Sequence, residues 1–261
     1  MLKTMAKAVL IDLSGTLHIE DQAVAGAVEA LQKLRKTNLQ IKFVTNTTKE
    51  SKSYLYNRLR KLGFELSPDE IHSSLGAARS LIVARNLKPM LLLEPEALED
   101  FEGLQCTDGK PDAVVIGLAP SEFHYEKLTE AFRCLLGGAR LIGIHAAKYY
   151  KRPDGLALGP GCFLKGLEYS AQCEAELVGK PNPVFFRSAI CDILPEESIM
   201  IGDDVHDDIA GAVKIGMRGY LVQTGKYRSG DESRISPHPT AVFPSFVEAV
   251  AHILNELNYS L

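Results

Sequence analysis

The amino-acid sequence predicts an α/β protein: a Rossmann-like parallel-sheet core interrupted by an inserted α/β domain. Three observations carry this expectation. Ala8-Val9-Leu10-Ile11 is a short, wholly apolar run ending on Asp12, the pattern of a strand buried on both faces with a polar group at its carboxyl end. Ser198-Ile199-Met200-Ile201-Gly202 repeats the pattern far downstream and ends on Asp203-Asp204. Between and after these runs strands alternate with helices, which implies right-handed parallel units.

Taken in order, Ser14-Gly15-Thr16 follows the first strand, and Gly15 lets the chain turn sharply there. Residues 26–36 place Ala27, Ala30, Leu31 and Leu34 at helical spacing. A second strand, residues 40–44, runs into Thr45-Asn46-Thr47-Thr48, whose polar side chains suit the start of a helix over residues 49–62, stopped by Gly63. Residues 75–84 also read as helix. Near Asn86 the texture changes. Residues 88–93 and 112–117 are strand-like around an acidic loop, 122–136 helical, 140–145 a strand, 153–161 a Gly/Pro-rich passage and 162–172 a helix. This excursion of roughly 90 residues is long enough to be a domain of its own. The expected division is therefore residues 1–84 with 178–261 as the core, and 85–177 as the insertion. The return runs through Lys180-Pro181, a helix over 183–193, the acid-ended strand, a helix over 207–215, a strand over 219–222 and a closing helix over 245–257.

The composition, 46% hydrophobic and 24% charged over 261 residues, is that of an ordinary globular protein. A net charge of −4 gives no electrostatic case for nucleic acid or an anionic membrane as partner. The first apolar run belongs to the opening strand, so no signal peptide is expected, and no run reaches the about 18 residues a membrane span needs. The five cysteines form no C-x-x-C pair, which argues for reduced thiols and a cytoplasmic setting over disulfides or zinc.

Four pieces fall at strand-to-helix junctions: Asp12-x-Ser14-Gly15-Thr16, Thr45-Asn46, Lys180-Pro181 and Gly202-Asp203-Asp204 with Asp207-Asp208. Each alone also has a structural reading. Thr45 and Asn46 cap helices, a lysine before proline sits in surface turns, and Gly-Asp-Asp makes a turn. Their joint occurrence favours chemistry. Asp12 and Asp203 would meet if their strands are neighbours, and converging oxygens suit a hard cation such as Mg²⁺. Thr45 and Asn46 beside a helix N-terminus offer donors to phosphate oxygens, and Lys180 adds positive charge. A carboxylate nucleophile, a metal and a phosphate clamp together describe phosphoryl transfer.

Through these motifs the sequence resembles the haloacid dehalogenase superfamily, nearly end to end, and in particular its phosphatases that carry an α/β cap between the second and third motifs. The resemblance implies that Asp12 is the nucleophile, forming an aspartyl phosphate, and that Mg²⁺ is held by Asp12, Asp203 and the main-chain carbonyl of Ser14. It implies further that Thr45, Asn46 and Lys180 grip the phosphoryl group, that Lys180 restrains Asp12, and that Asp208 supports the metal by orienting a bound water or Lys180. The insertion becomes a specificity cap, with His145 and Lys148 as its candidate substrate contacts, and a cap-mediated homodimer fits the subgroup.

One position departs from the pattern. Most phosphatases of the superfamily have a second aspartate two residues after the nucleophile, which protonates the leaving group; here it is Ser14. A hydroxyl is far too weak an acid to replace it near neutral pH. The expected substrate is accordingly a small phosphorylated molecule whose leaving group needs little protonation, such as a pyrophosphate, phosphoramidate or aryl phosphate. The competing expectation is a phosphate-binding regulatory or scaffolding protein with little turnover.

Overall fold

The computed structural model describes residues 5–107, 109–152 and 154–258. In chain order the elements begin with β1 (Ala8–Asp12), a small hairpin of β2 (His18–Ile19) and β3 (Gln22–Ala23), α1 (Ala27–Leu34), β4 (Gln40–Thr45), α2 (Lys52–Lys61) and β5 (Ile71–Ser73). Then come α3 (Ser74–Ala84), β6 (Pro89–Leu92), β7 (Ala113–Ile116), α4 (Tyr125–Leu136), β8 (Arg140–Gly143), β9 (Tyr149–Arg152), β10 (Gly155–Leu158), α5 (Gly161–Ala171) and β11 (Glu176–Leu177). The last part holds α6 (Pro183–Ile190), β12 (Ser198–Gly202), a π-helical turn (Val205–Ala210) running into α7 (Gly211–Lys214), β13 (Arg218–Val222), β14 (Ala241–Phe243) and α8 (Phe246–Glu256).

These elements form two compact units. One takes the chain up to Thr45, Leu55–His72 and everything from Lys180 onward; the other takes Asn46–Tyr54 and Ser73–Gly179. The first unit is built on a six-stranded sheet in the order β14-β13-β12-β1-β4-β5, with β1 parallel to both β4 and β12. All five residues of β1 are buried, as an apolar run between two helical layers requires. On one face Val9 and Ile11 share a core with Leu31 and Leu34 of α1 and Val250 and Ile253 of α8; on the other, α6 lies against β1 and β4. Phe43 of β4 is fully buried, and burial of such a side chain contributes about 1.5–3 kcal/mol.

The second unit has its own parallel sheet, β11-β8-β7-β6, covered on both faces. The alternation along β7 assigns the faces: Ala113 and Val115 pack with Leu75, Ala78 and Ile82 of α3, while Val114 and Ile116 pack with Ala131 and Leu135 of α4 and Leu164 and Leu167 of α5. Two differences from the sequence reading follow. Helix α3, within the segment expected to close the first part of the core, belongs to the inserted unit, because its apolar stripe completes that unit's sheet. The Gly/Pro-rich passage after Pro153, a residue outside the described set, contains a strand, since β10 pairs antiparallel with β9. Among the described residues no helix is long and apolar enough to cross a membrane.

The packing of α3 makes a specific expectation. Ile82 is fully buried in the inserted unit, so Ile82→Ala should cost about 2–5 kcal/mol. Hydrogen exchange should localise the loss of protection to β6, β7 and β8, with β1 and β12 unaffected; loss confined to β1 and β4 would assign α3 to the other unit.

Candidate active site

Strand register brings the key acids together. In the parallel ladders Asp12 lies opposite Val44, and Ile11 lies opposite Ile201. Thr45, one residue beyond Val44 in β4, and Asp203, two residues beyond Ile201 and just after β12, therefore reach the same carboxyl edge of the sheet as Asp12. That edge is where open α/β sheets gather their functional groups.

Three glycines let the acids approach the backbone. A Cβ on Gly15, which has φ +93°, would fall 2.1 Å from Asp203 Oδ2. One on Gly225 would meet the same oxygen at 2.1 Å, and one on Gly202 would lie 2.3 Å from Asp208 Oδ2. No side chain fits at any of the three.

At the centre Lys180 is 3% exposed. Its Nζ donates to Asp12 Oδ1 at 2.6 Å, to Asp208 Oδ1 at 2.7 Å and to the Val44 carbonyl at 3.3 Å. Thr16 Oγ1 donates to the other Asp12 oxygen at 3.4 Å. Burial alone would drive the ammonium to lose its proton, but Asp12 and Asp208 overcome this and hold it above the ordinary lysine range. Asp208 is itself pushed up to about 7 by burial and the charge of Asp12, against the pull of Lys180. Burial, then the charges of Asp12 and Asp208, likewise raise Asp203 well above the usual carboxylate range.

Asp12, Asp203 and Asp208 offer oxygens that all lie within 4.8 Å of one another. Three buried carboxylates against the single ammonium of Lys180 leave an excess of negative charge, and an all-oxygen donor set suits a hard divalent cation. The residues present thus fit Mg²⁺. Both oxygens of Asp208 are already engaged, one by Lys180 and the other by the Asp204 main-chain N–H at 3.1 Å.

The π-helical turn presents Asp208 to this cluster. Asp204 caps it, with Oδ1 accepting from the N–H groups of His206 and Asp207 at 3.0 Å each. The Ile209 N–H reaches back five residues to the Asp204 carbonyl at 3.3 Å, the wider turn common at functional positions. Burial pushes the Asp204 carboxyl up, but the Lys226 ammonium and these amides hold it below its ordinary range.

The other residues singled out from the sequence are placed as follows. Ser14 is exposed on the turn after β1, and Thr45 is buried at the end of β4. Asn46, His145 and Lys148 belong to the second unit. There His145 is buried, with Nδ1 accepting from the Ala147 N–H at 3.3 Å and Nε2 3.4 Å from Thr48 Oγ1; Thr48 Oγ1 also accepts from the Leu118 N–H at 2.9 Å. Lys148 is exposed. Thr16, part of the first motif but given no role there, supports Asp12, and sequence reasoning missed the turn Thr224-Gly225-Lys226. The Lys226 N–H donates to Asp203 Oδ2 at 2.6 Å, its Nζ to Asp204 at 3.2 Å, and Thr224 Oγ1 to the Gly15 carbonyl at 2.5 Å.

Fold and site together define a hydrolase class, and comparison with known proteins agrees. A haloacid dehalogenase-like hydrolase profile matches residues 9–106, and a HAD-hydrolase-like profile matches residues 177–249. The chain belongs to the haloacid dehalogenase-like hydrolases and stands among their phosphatases. It is 58% identical over 255 residues to haloacid dehalogenase-like hydrolase domain-containing protein 2 of Bos taurus, covering 96% of this chain and 97% of that one. It is 38% identical over 260 residues to the phospholysine phosphohistidine inorganic pyrophosphate phosphatase of Xenopus laevis, covering 96% and 94%. Among solved structures, p-nitrophenyl phosphatase from Archaeoglobus fulgidus superposes with a TM-score of 0.88 at 27% identity, over 95% of this chain and 99% of its own. The 4-nitrophenylphosphatase of Thermotoga maritima gives 0.85 at 25%, over 95% and 97%.

Removing the central cation should be costly in a pH-dependent way. Lys180→Met leaves two buried carboxylates uncompensated, a loss of about 3–5 kcal/mol near pH 7 without divalent metal. A carboxyl whose folded pKa exceeds its unfolded value binds its proton more tightly in the folded state, so acidification through that interval stabilises the fold. Asp208 takes up its proton at about pH 7 in the parent and at a higher pH once the Lys180 ammonium is gone, so the deficit of the variant should shrink as the pH falls from the alkaline side towards 7. Urea unfolding of both proteins across this range measures the difference; a deficit independent of pH would mean that the carboxylates are not the cause.

Proposed function

We propose that this protein is a Mg²⁺-dependent phosphatase that works through an aspartyl phosphate on Asp12. The observation that supports it most directly is the hydrogen-bonded set Asp12–Lys180–Asp208, with Asp203 beside it at the carboxyl edge of the sheet. In the first step an Asp12 carboxylate oxygen attacks phosphorus, and the bond from phosphorus to the leaving group breaks. In the second, water attacks the phosphorus of the acyl phosphate, releasing inorganic phosphate and restoring Asp12. The Lys180 ammonium, 2.6 Å from Asp12 Oδ1, holds the Asp12 side chain aimed, and stands ready to share its charge with the incoming phosphoryl oxygens. Thr45 and Asn46 supply neutral donors for those oxygens. Asp12, Asp203 and the Ser14 carbonyl would hold Mg²⁺, with Asp208 steering Lys180 and a metal-bound water. When bound, the ion offsets the negative charge of the phosphoryl group.

With serine at position 14 no carboxylic acid stands two residues after the nucleophile, so the departing group leaves with little help. This favours pyrophosphates, phosphoramidates and aryl phosphates over alkyl esters. The names of the relatives point the same way, toward pyrophosphate, phosphohistidine and nitrophenyl phosphate. In this reading the inserted unit filters substrates. His145, whose ring nitrogens face Thr48 and the Ala147 amide, serves there by bracing the loop that carries Asn46, and Lys148 is the freer candidate for substrate contact.

Asp12→Asn keeps the shape of the nucleophile but not its charge. It should abolish turnover, and the acid-stable mass increase of a phosphoenzyme trapped from the parent should be absent; substantial residual turnover in a pure preparation would remove Asp12 from the mechanism. Chelation of Mg²⁺ should likewise stop the parent enzyme.

Ser14→Asp supplies the missing acid without altering the main-chain carbonyl. General acid help is worth on the order of 10²–10⁴ in rate, so alkyl phosphates should gain most and aryl phosphates least. A leaving-group series at fixed pH and saturating Mg²⁺ reads this as a shallower dependence on leaving-group pKa. Equal slopes in the two proteins would show that protonation at position 14 does not limit the reaction.

A further inference from the structure

The turn Thr224-Gly225-Lys226 joins the two halves of the proposed cation site. Its geometry can be followed peptide by peptide. The Gly15 N–H donates to the His18 carbonyl at 2.7 Å. In a trans peptide the N–H and the preceding carbonyl point in opposite directions, so this bond also fixes the direction of the Ser14 carbonyl. The next peptide is pinned separately, because the Gly15 carbonyl accepts from Thr224 Oγ1 at 2.5 Å. Gly15, at φ +93°, thus has a fastened peptide on either side.

The same turn fixes Asp203. The Lys226 N–H donates to Asp203 Oδ2 at 2.6 Å. A Cβ on Gly225 would fall 2.5 Å from Gly15 Cα and 2.1 Å from Asp203 Oδ2, so the glycine backbone is wedged between the two. The Lys226 side chain, 62% exposed, extends to Asp204, the residue that caps the turn bearing Asp208. Three consecutive residues thereby touch the nucleophile loop, one acid of the cluster and the cap of the element carrying another.

We propose that Thr224-Gly225-Lys226 is a positioning clasp that sets the affinity for the divalent cation, by holding the Gly15 peptides and the Asp203 carboxylate in one fixed arrangement. This rests on the reading of Asp12, Asp203 and the Ser14 carbonyl as the Mg²⁺ ligands. Residues that orient metal ligands without touching the ion typically change affinity by about 10–100-fold when they are lost. A threonine hydroxyl on a main-chain carbonyl and a main-chain N–H on a carboxylate are contacts of that kind.

Calorimetric titration with Mg²⁺ of the full-length protein, without substrate, tests the clasp. Thr224→Val keeps the shape of the side chain and removes its donor, and should weaken Mg²⁺ binding by about 10–100-fold. Thr224→Ser, which keeps the hydroxyl, should restore most of it. Gly225→Ala approaches the clasp from its other side and should also weaken binding, because the added methyl must displace Asp203 or Gly15. Unfolding of the metal-free variants establishes that each is folded at the titration temperature. A folded Thr224→Val protein with parental Mg²⁺ affinity, or a Thr224→Ser protein as weak as Thr224→Val, overturns the clasp. Failure of the parent protein to bind Mg²⁺ overturns instead the assignment of the metal ligands.

Discussion

The buried ammonium of Lys180 is the interaction on which the rest of the site depends. It lies between Asp12 and Asp208, in a place where either carboxylate alone would be expensive to keep ionised. The sheet delivers the acids to one edge by register, but register alone would deliver mutually repelling charges. Lys180, arriving from the other end of the inserted unit, makes their proximity tolerable. One negative charge can be offset this way; three cannot, which is why the cluster reads as a seat for a further cation.

Glycine does the complementary work. At Gly15, Gly202 and Gly225 the backbone itself forms the wall against which Asp203 or Asp208 rests. A carboxylate held against bare backbone has few alternative rotamers, so the acids are ordered before any ligand arrives. Less conformational entropy is then lost on binding. The π-helical turn adds to this order, since Asp204 ties its first amides and presents Asp208 from its second half.

Much of this was legible in the sequence, for physical reasons that differ by residue. Asp12 and Asp203 stood out because an acid that closes a short, mostly apolar run adds nothing to the burial of the strand. Lys180 and Thr45 were legible from their junctions. The assignment of α3 was not, because the stripe Leu75, Ala78 and Ile82 says that a helix must cover a sheet but not which sheet. β10 was hidden by the glycines and prolines around it. The extra residue of the π turn leaves no mark in a helical pattern. Thr224-Gly225-Lys226 escaped because it acts through a main-chain amide, a carbonyl and a lone hydroxyl, and no side-chain pattern records where a main-chain amide points.

Where the chain passes between its two units bears on how such proteins diverge. Of the four crossings, one falls at the Thr45–Asn46 bond and another at the Gly179–Lys180 bond, so two residues of the first unit's candidate site are joined by one peptide bond to the insertion. A recombination that exchanged the inserted unit for another would carry Asn46 with the new piece and leave Thr45 and Lys180 behind. The insertion is therefore not a passive accessory that can be traded freely. Two of its seams adjoin residues proposed to grip phosphate, and a workable graft has to match the parent there.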